Sequence, residues 1–514
     1  MREKLKVFGI PIMVMLLFVL ALFVHQLVLV KELPQPNWSR SIPLEYTSEE
    51  RPQVFSNKED VFFAGDGKVH QFTLDQKLNT KDKVMDTKIT RGYPFWADGK
   101  KFVYYKDEDL VSTVDQQDTI LSSGITGLGT GVNDVYFWSN QELKHYNPQE
   151  GSLTNVHSFP SEVSAVHVGD NGSGIVQVKL DDTRDYVYYM DENQEVSKEP
   201  FLVLNTSPNK KVDHLTYHVK NEELILLYSE KSRTQGNLSY KVYKVQVPLN
   251  EIGSSIEKGT AIEFVNHENG EKLSSPSGAE FVNVSGKEAV MFTSEGQRIG
   301  DNSSIKLYLA PYEDRTTLEG LPISTSKHVT YSPEKVGQSL VWLSYDGDTY
   351  ELFAASQDKE VMAASAEWSS RSVKEAINNG VVMMFSSLIT VLTSFYWVLP
   401  SLFLLIIMYI FKPNTFETEG INWVEYASIV IFLIMPINYT SDAMNAYFYQ
   451  MAPDYITFPG GGYALLLLIS VVTTIIWKIG RDPDWGAFAG AFYFMGVYIL
   501  FYITSIGPYI FNLF

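Results

Sequence analysis

Tyr93-Pro94-Phe95-Trp96-Ala97-Asp98-Gly99-Lys100-Lys101-Phe102-Val103-Tyr104-Tyr105 is the stretch that decides the fold of most of the chain. Asp98-Gly99 predicts a tight turn, because glycine accepts a positive φ without steric cost. Phe102–Tyr105 predicts a strand, because aromatic and branched side chains fit a pleated surface. Similar units recur along the chain, each a branched or aromatic run, a polar turn and a second run rich in tyrosine. The first runs begin near Val61, Val103, Val135, Ile175, Leu224, Val290 and Val341, separated by 42, 32, 40, 49, 66 and 51 residues. The second runs include Lys68–Leu74, Leu143–Tyr146, Asp185–Met190, Ser239–Val247, Ile305–Leu309 and Thr349–Ala354. A spacing of about 40–50 residues is that of a four-stranded propeller blade. The 66-residue gap predicts a loop around Asn250–Ser277.

Phe95-Trp96-Ala97-Asp98-Gly99-Lys100-Lys101 resembles the blade motif of TolB-like (WD40-like) β-propellers, in which Pro-x-Trp-Ser-Pro-Asp-Gly-Lys-Lys precedes a hydrophobic strand. It departs at Ala97 and lacks the second proline. The resemblance implies an all-β propeller and no specific family beyond the fold; the recurring runs fit six to eight blades, with about seven as the central value. Two stacked β-sandwiches are the competing all-β arrangement. A propeller closes radially, so its sheet edges are protected without disulfides, which suits a chain with no cysteine.

The propeller is flanked by membrane segments. Val7–Val30 is a run of 24 residues with no charge apart from His25, long enough at about 1.5 Å per residue to cross a hydrocarbon core. Arg2, Lys4 and Lys6 hold its start in the cytoplasm, and no small-residue cleavage site follows, so residues 1–32 read as an uncleaved signal anchor. His25 lies near the outer end, where its polar tip reaches the interface. Residues 33–371 form the extracytoplasmic propeller. Residues 372–392 read as an amphipathic interfacial helix, on a stripe of Val373, Ile377, Val381, Met384, Leu388 and Val391. Residues 393–514 read as a four-helix transmembrane bundle, with spans near Phe395–Phe411, Trp423–Tyr439, Gly461–Trp477 and Trp485–Tyr509. The N-terminus is then cytoplasmic and the C-terminus extracytoplasmic, in a multi-pass protein of a bacterial cell membrane.

Charge separates these parts. Residues 31–375 carry 35 basic and 52 acidic side chains, a net of −17, which argues against a nucleic-acid partner. The absence of cysteine excludes thiolate metal sites and cysteine nucleophiles. No Gly-x-Ser-x-Gly, His-Glu-x-x-His or Walker loop occurs, so neither an enzyme nor a cofactor is expected. His214 and His218 sit four apart without a third ligand beside them. Asp107-Glu108-Asp109, Asp181-Asp182 and Asp346-Gly347-Asp348 are oxygen-rich, but aspartate and glycine are also what turns use. No catalytic, cofactor or metal residue is assigned. Two features in the membrane part stand out. Glu425, in the first turns of the Trp423 helix, is a possible intramembrane functional residue. Gly486 and Gly490 form a small-xxx-small pair suited to helix packing.

The functional reading is a binding, scaffold or sensing module of the cell envelope. Its partners are the lipid bilayer and an envelope protein or cell-wall polymer. An accessory subunit of a transporter is the first alternative, and an envelope enzyme acting on a glycan or lipid-linked substrate the second.

Overall fold

The computed structural model describes residues 5–510 apart from 58–59, 66, 76, 88, 90–91, 93, 170, 254–255, 257, 268–269, 296–304, 327, 417–421, 444–447, 449–451, 454–455, 459 and 483. Tyr93 of the opening stretch and Asp454 therefore lie outside the described residues. The chain divides into a β unit, residues 33–296 and 303–366, and a helical unit, residues 1–32, 297–302 and 367–514.

The β unit is a succession of antiparallel meanders. The first strand, β1 (Ile42–Ser48), is set aside. Then β2 (Gln53–Asn57), β3 (Asp60–Gly65), β4 (Lys68–Leu74) and β5 (Thr80–Asp86) form one four-stranded sheet in chain order. The next comprises β6 (Phe95–Ala97), β7 (Lys101–Lys106), β8 (Asp109–Val114) and β9 (Gln117–Ser123). It is followed by β10 (Gly127–Thr130), β11 (Val135–Ser139), β12 (Glu142–Asn147) and β13 (Ser152–Ser158). Then come β14 (Val163–Val168), β15 (Gly174–Asp181), β16 (Arg184–Met190) and β17 (Leu202–Asn205). The seven runs beginning near Val61 to Val341 fall on the second strand of each meander, each with a continuous buried stretch. At β11, for example, Val135–Trp138 are all buried.

An eight-stranded sheet follows. One half is β18 (Lys210–Lys220), β19 (Glu223–Thr234), β20 (Asn237–Pro248) and β21 (Thr260–Asn266). The other is β22 (Ser274–Val284), β23 (Lys287–Glu295), β24 (Ile305–Pro311) and β25 (Thr317–Pro322). The halves are joined by parallel pairing of Glu263–Asn266 with Thr317–Gly320. The loop expected around Asn250–Ser277 is thus corrected: it contains β21 and the start of β22. β21 is short and alternates Ile262 and Phe264 inward with exposed Ala261 and Glu263 outward, and a seven-residue strand between polar flanks leaves little signal.

The last sheet is closed by the first strand. β26 (Val329–Val336), β27 (Ser339–Tyr345) and β28 (Tyr350–Ser356) are completed by β1, with Ile42 opposite Ala354 and Ser48 opposite Tyr350. Apolar clusters between successive sheets complete a ring. Phe62, Val103 and Val135 share one core, Trp138 and Val176 the next, then Val187 and Leu226, Val242 and Val290, Met291 and Trp342. Val341 and Leu352 of the last sheet pack with Val61 and Phe72 of the first. The β unit is a β-propeller.

In the turn of the opening stretch, Gly99 has φ +82, and the Asp98 Oδ1 accepts from the backbone N–H of Lys100 and Lys101 at 2.9 and 2.8 Å. The turn is set by the aspartate side chain as much as by glycine.

The helical unit contains α1 (Ile10–Leu29) near the N-terminus. After a short helix of the β unit, α2 (Lys359–Ser365), come α3 (Ser370–Ser387), α4 (Ile389–Phe411), α5 (Trp423–Ala443), α6 (Gly461–Gly480), α7 (Ala487–Ser505) and α8 (Gly507–Ile510). Among the described residues, four stretches are long and apolar enough to cross a membrane: Lys6–Leu29, Ser370–Phe411, Gly461–Gly480 and Ala487–Ser505; Trp423–Tyr439 is a shorter apolar helix. The Ser372–Leu392 region is helical, but its apolar stripe faces outward. Ile377, Val381, Leu388 and Val391 are exposed, while Ala376, Gly380, Ser387 and Thr390 are buried. A methyl on Gly380 would lie 2.6 Å from the Phe23 ring, so the small face of α3 packs closely on α1.

Candidate functional site

The best-defined polar site of the helical unit is built from three elements. Asn422 starts α5: its Oδ1 accepts from the Val424 N–H at 3.0 Å. That places Glu425 in the first turn, where the positive end of the helix dipole favours a carboxylate. Glu425 is fully buried, and its Oε2 accepts from Arg481 Nη2 at 2.7 Å. Arg481 follows α6, whose last turn is capped by its N–H donating to the Trp477 carbonyl at 2.8 Å. The Trp477 indole N–H in turn donates to the Gly490 carbonyl of α7 at 3.0 Å. A methyl on Gly490 would overlap Glu425 Oε1. The glycine is therefore the notch that admits the carboxylate.

Glu425 and Gly490, singled out separately in the sequence, thus meet. Gly486 does not join them: it caps the start of α7, and a methyl there meets nothing within 4 Å. Arg481 and Trp477 are the partners that sequence reasoning missed. Their only signal is position, a cation and an aromatic at the end of an apolar helix, which reads equally well as an interfacial anchor. Chemically the site is a charge-neutral lock. Attraction to Arg481, which stays partly exposed, offsets a desolvation penalty on Glu425 of several kcal/mol, and removing the arginine strands the carboxylate. His25 lies 3.4 Å from the Tyr509 hydroxyl, edge-on to its ring.

In the β unit the sequence-flagged acidic turns serve the turns themselves. Asp181 Oδ2 receives Nε and Nη2 of Arg184 at 2.8 and 2.6 Å, which holds its carboxyl at about 2. Asp346 Oδ1 accepts from the N–H of Asp348 and Thr349, and these bonds hold its carboxyl below the usual range. Asp107 and Glu108 occupy a turn at φ +50 and +64. His218 pairs with Glu288 at 2.8 Å, and Lys220 takes the other oxygen of Glu288 at 2.6 Å. Its neighbour on the same strand, His214, lies near His167, which sits 3.0 Å from the Gln177 amide. Burial, reinforced by His214, pushes His167 down to about 3. Among the described residues no three His, Asp or Glu side chains are grouped to hold a metal.

The two ends of the β ring differ. β28 ends and β1 begins at one end of the closing sheet, since Ile42 pairs beside Ala354. The chain enters there through Trp38–Ser41, pinned by Ser39 N–H to the Ser356 carbonyl (2.9 Å), Ser41 N–H to Thr325 Oγ1 (3.1 Å) and Arg40 N–H to Ser365 Oγ (3.1 Å). The chain thus enters the first strand and leaves the last one at this end. The turns between second and third strands lie at the other end. A polar cleft of about 370 Å³ opens there, lined by Glu162, Lys179, Asp181, Asp182 and Asp185. Burial raises Asp185, partly offset by Lys179. A second cavity of about 710 Å³, lined by Lys244 and Glu313–Glu319, lies where β21 crosses to β25.

No protein-family model and no curated protein matches the chain. Solved structures that match include the extracellular domain of the putative one component system BT4673 from B. thetaiotaomicron (TM-score 0.34, 9% identity, over 62% of this chain and 40% of that one). A mitotic checkpoint complex chain matches with TM-score 0.37 and 11% identity, over 62% of this chain and 92% of that one. A catalytically inactive virginiamycin B lyase from Staphylococcus aureus, solved with quinupristin, matches with TM-score 0.35 and 10% identity, over 62% and 99%. This chain spans less than half the length of the first of these.

Proposed function

We propose that the chain is a membrane-anchored, seven-bladed propeller that binds a partner outside the membrane, as a non-catalytic sensing or scaffolding module. Each half of the eight-stranded sheet counts as one blade in this reading. The observation that supports it best is the shared end of the two tethers. The ring's chain enters and leaves beside Ile42 and Ser356, so the described second-to-third-strand turns at the opposite end carry neither its entry nor its exit. In this reading the N-terminus is cytoplasmic, residues 33–371 and the C-terminus are extracytoplasmic, and the partner is an envelope protein or wall polymer. The pairing of buried Glu425 with Arg481 supports the bundle as a fixed platform rather than a transport pathway, since an ion locked to its counter-ion is poorly placed to carry charge.

The test is photo-crosslinking of the full chain in living cells. A photoreactive residue at Gln141 or Asp182, on the end away from the tethers, is expected to capture a partner. The same residue at Lys100 or Glu150, on the tether end, is expected to capture none. Silence at all four positions would end the binding reading.

A further inference from the structure

One hairpin breaks the pattern of the ring. β19 and β20 are each 12 residues long, against 5–9 for the second strands of the other meanders. The extra length lies at the end away from the tethers, where none of the residues from Glu230 to Lys241 is buried. The strands are joined by Gln235-Gly236 at φ +52 and +86, the two-residue turn that matches strand twist. β18 extends with them, pairing Lys211 with Lys231.

Residues directly opposite in a sheet share a face, and Lys211 faces Lys231, Lys231 faces Tyr240 and Arg233 faces Leu238. One face of the projection therefore carries three cations with Tyr240 and an exposed Leu238. Lys231 stands 5.5 Å from the Tyr240 ring centre. On the other face Glu230 pairs with Lys210 at 2.6 Å and stands opposite Lys241. Among the described residues no carboxylate pairs with Lys211 or Arg233. These cations sit on a domain whose net charge is −17.

The outer edge of the same strand is open. β21 pairs with β20 only at Val242–Lys244 and then crosses to β25. Asn237–Lys241 is consequently paired with β19 alone among the described residues, leaving a row of backbone donors and acceptors toward solvent. Cations, an apolar pair and an unpaired strand edge together are what an extended acidic peptide needs. Main-chain bonds add it as a strand, and alternate side chains meet the charged face. A phosphate polymer would use the cations but neither the edge nor Leu238.

We infer that the Ser229–Lys241 hairpin docks an acidic, extended segment of a partner protein along the open edge of residues 237–241. This rests on the binding-module reading above and names its partner class. The test places p-benzoylphenylalanine at Leu238 of the full chain in its native membrane, with Val84 on the edge strand β5 as control, and maps adducts by mass spectrometry. The expected result is a polypeptide adduct at Leu238 at least tenfold above that at Val84, mapping to a segment rich in Asp and Glu. K211E/R233E is expected to reduce it at least tenfold, and K68E/K100E to leave it unchanged, with the thermal transition unmoved in both. Adducts to wall polymer or lipid, a segment without acidic residues, no excess over Val84 or indifference to K211E/R233E would each overturn the inference. If Leu238 is silent while Gln141 and Asp182 still capture a partner, the hairpin assignment falls and the binding module stands.

Discussion

The propeller and the helical unit spend their apolar residues in opposite ways. At β27, Leu340–Leu343 are buried between sheets, and Trp342 stacks on Phe353 at 6.3 Å. In α3 and α4 the large apolar side chains Phe385, Leu392, Phe395 and Phe403 are more than 60% exposed, while Ala376, Gly380, Ser387, Thr390 and Ser401 are buried. In water, burial of apolar area stabilises the fold. In hydrocarbon, the environment proposed for the helical unit, that driving force vanishes, and close approach of small residues takes its place. The same residue type is therefore structural in one unit and solvent-facing in the other.

The contrast can be broken most severely at a buried group in each unit. Trp342→Ala should destabilise the propeller by about 3–5 kcal/mol through loss of apolar contact and the cavity left behind; chemical denaturation of the full chain followed by tryptophan fluorescence reads it. Arg481→Ala should destabilise the bundle by a similar amount, about 3–5 kcal/mol, for an electrostatic reason: it leaves Glu425 buried without its counter-ion. The double change Glu425→Gln with Arg481→Gln should recover much of the loss in detergent thermal melts. No recovery would mean that packing, not charge, holds the lock.

A smaller effect is expected at Gly490→Ala, about 1–3 kcal/mol from overpacking against Glu425. Gly486→Ala, at an open helix cap, should stay below about 1 kcal/mol. Equal effects at the two glycines would contradict the notch.

The smallest effects are pH-linked and confined to the propeller. His167 is pushed down to about 3, so the unfolded chain binds the extra proton between about 6.5 and 3, and stability should fall as pH drops through that window. Glu334 is pushed up to about 7 by burial, against a bond from the Ser56 hydroxyl. There the folded state holds the extra proton, so stability should fall as pH rises from about 4.5 through 7. His167→Asn should flatten the acid limb of the stability profile and Glu334→Gln the neutral limb, each leaving the other intact.

What was legible follows from the same physics. The second strands announce themselves because both faces are buried, giving uninterrupted runs such as Val135-Tyr136-Phe137-Trp138. The first strands are less legible: Gly127-Leu128-Gly129-Thr130 has glycines because Trp138 and Val166 occupy the space their side chains would fill, a demand set by partners distant in sequence. β21 passed for loop for the reason already given. In α3 the period revealed the apolar stripe but not which solvent it meets. Glu425 and Gly490 were each noticed, yet 65 residues of chain separate them, and nothing local to either indicates that one is the cradle of the other.

The crossing of β21 to β25 has a consequence for how such a ring can grow or shrink. Between the meanders from β2 to β17 a duplication or deletion would cut only a connecting turn. Between Asn266 and Ser274 the same break would separate a strand from a partner in the neighbouring meander. These two repeats must be inherited together, so changes in repeat number are best tolerated on the side of the ring between β5 and β17.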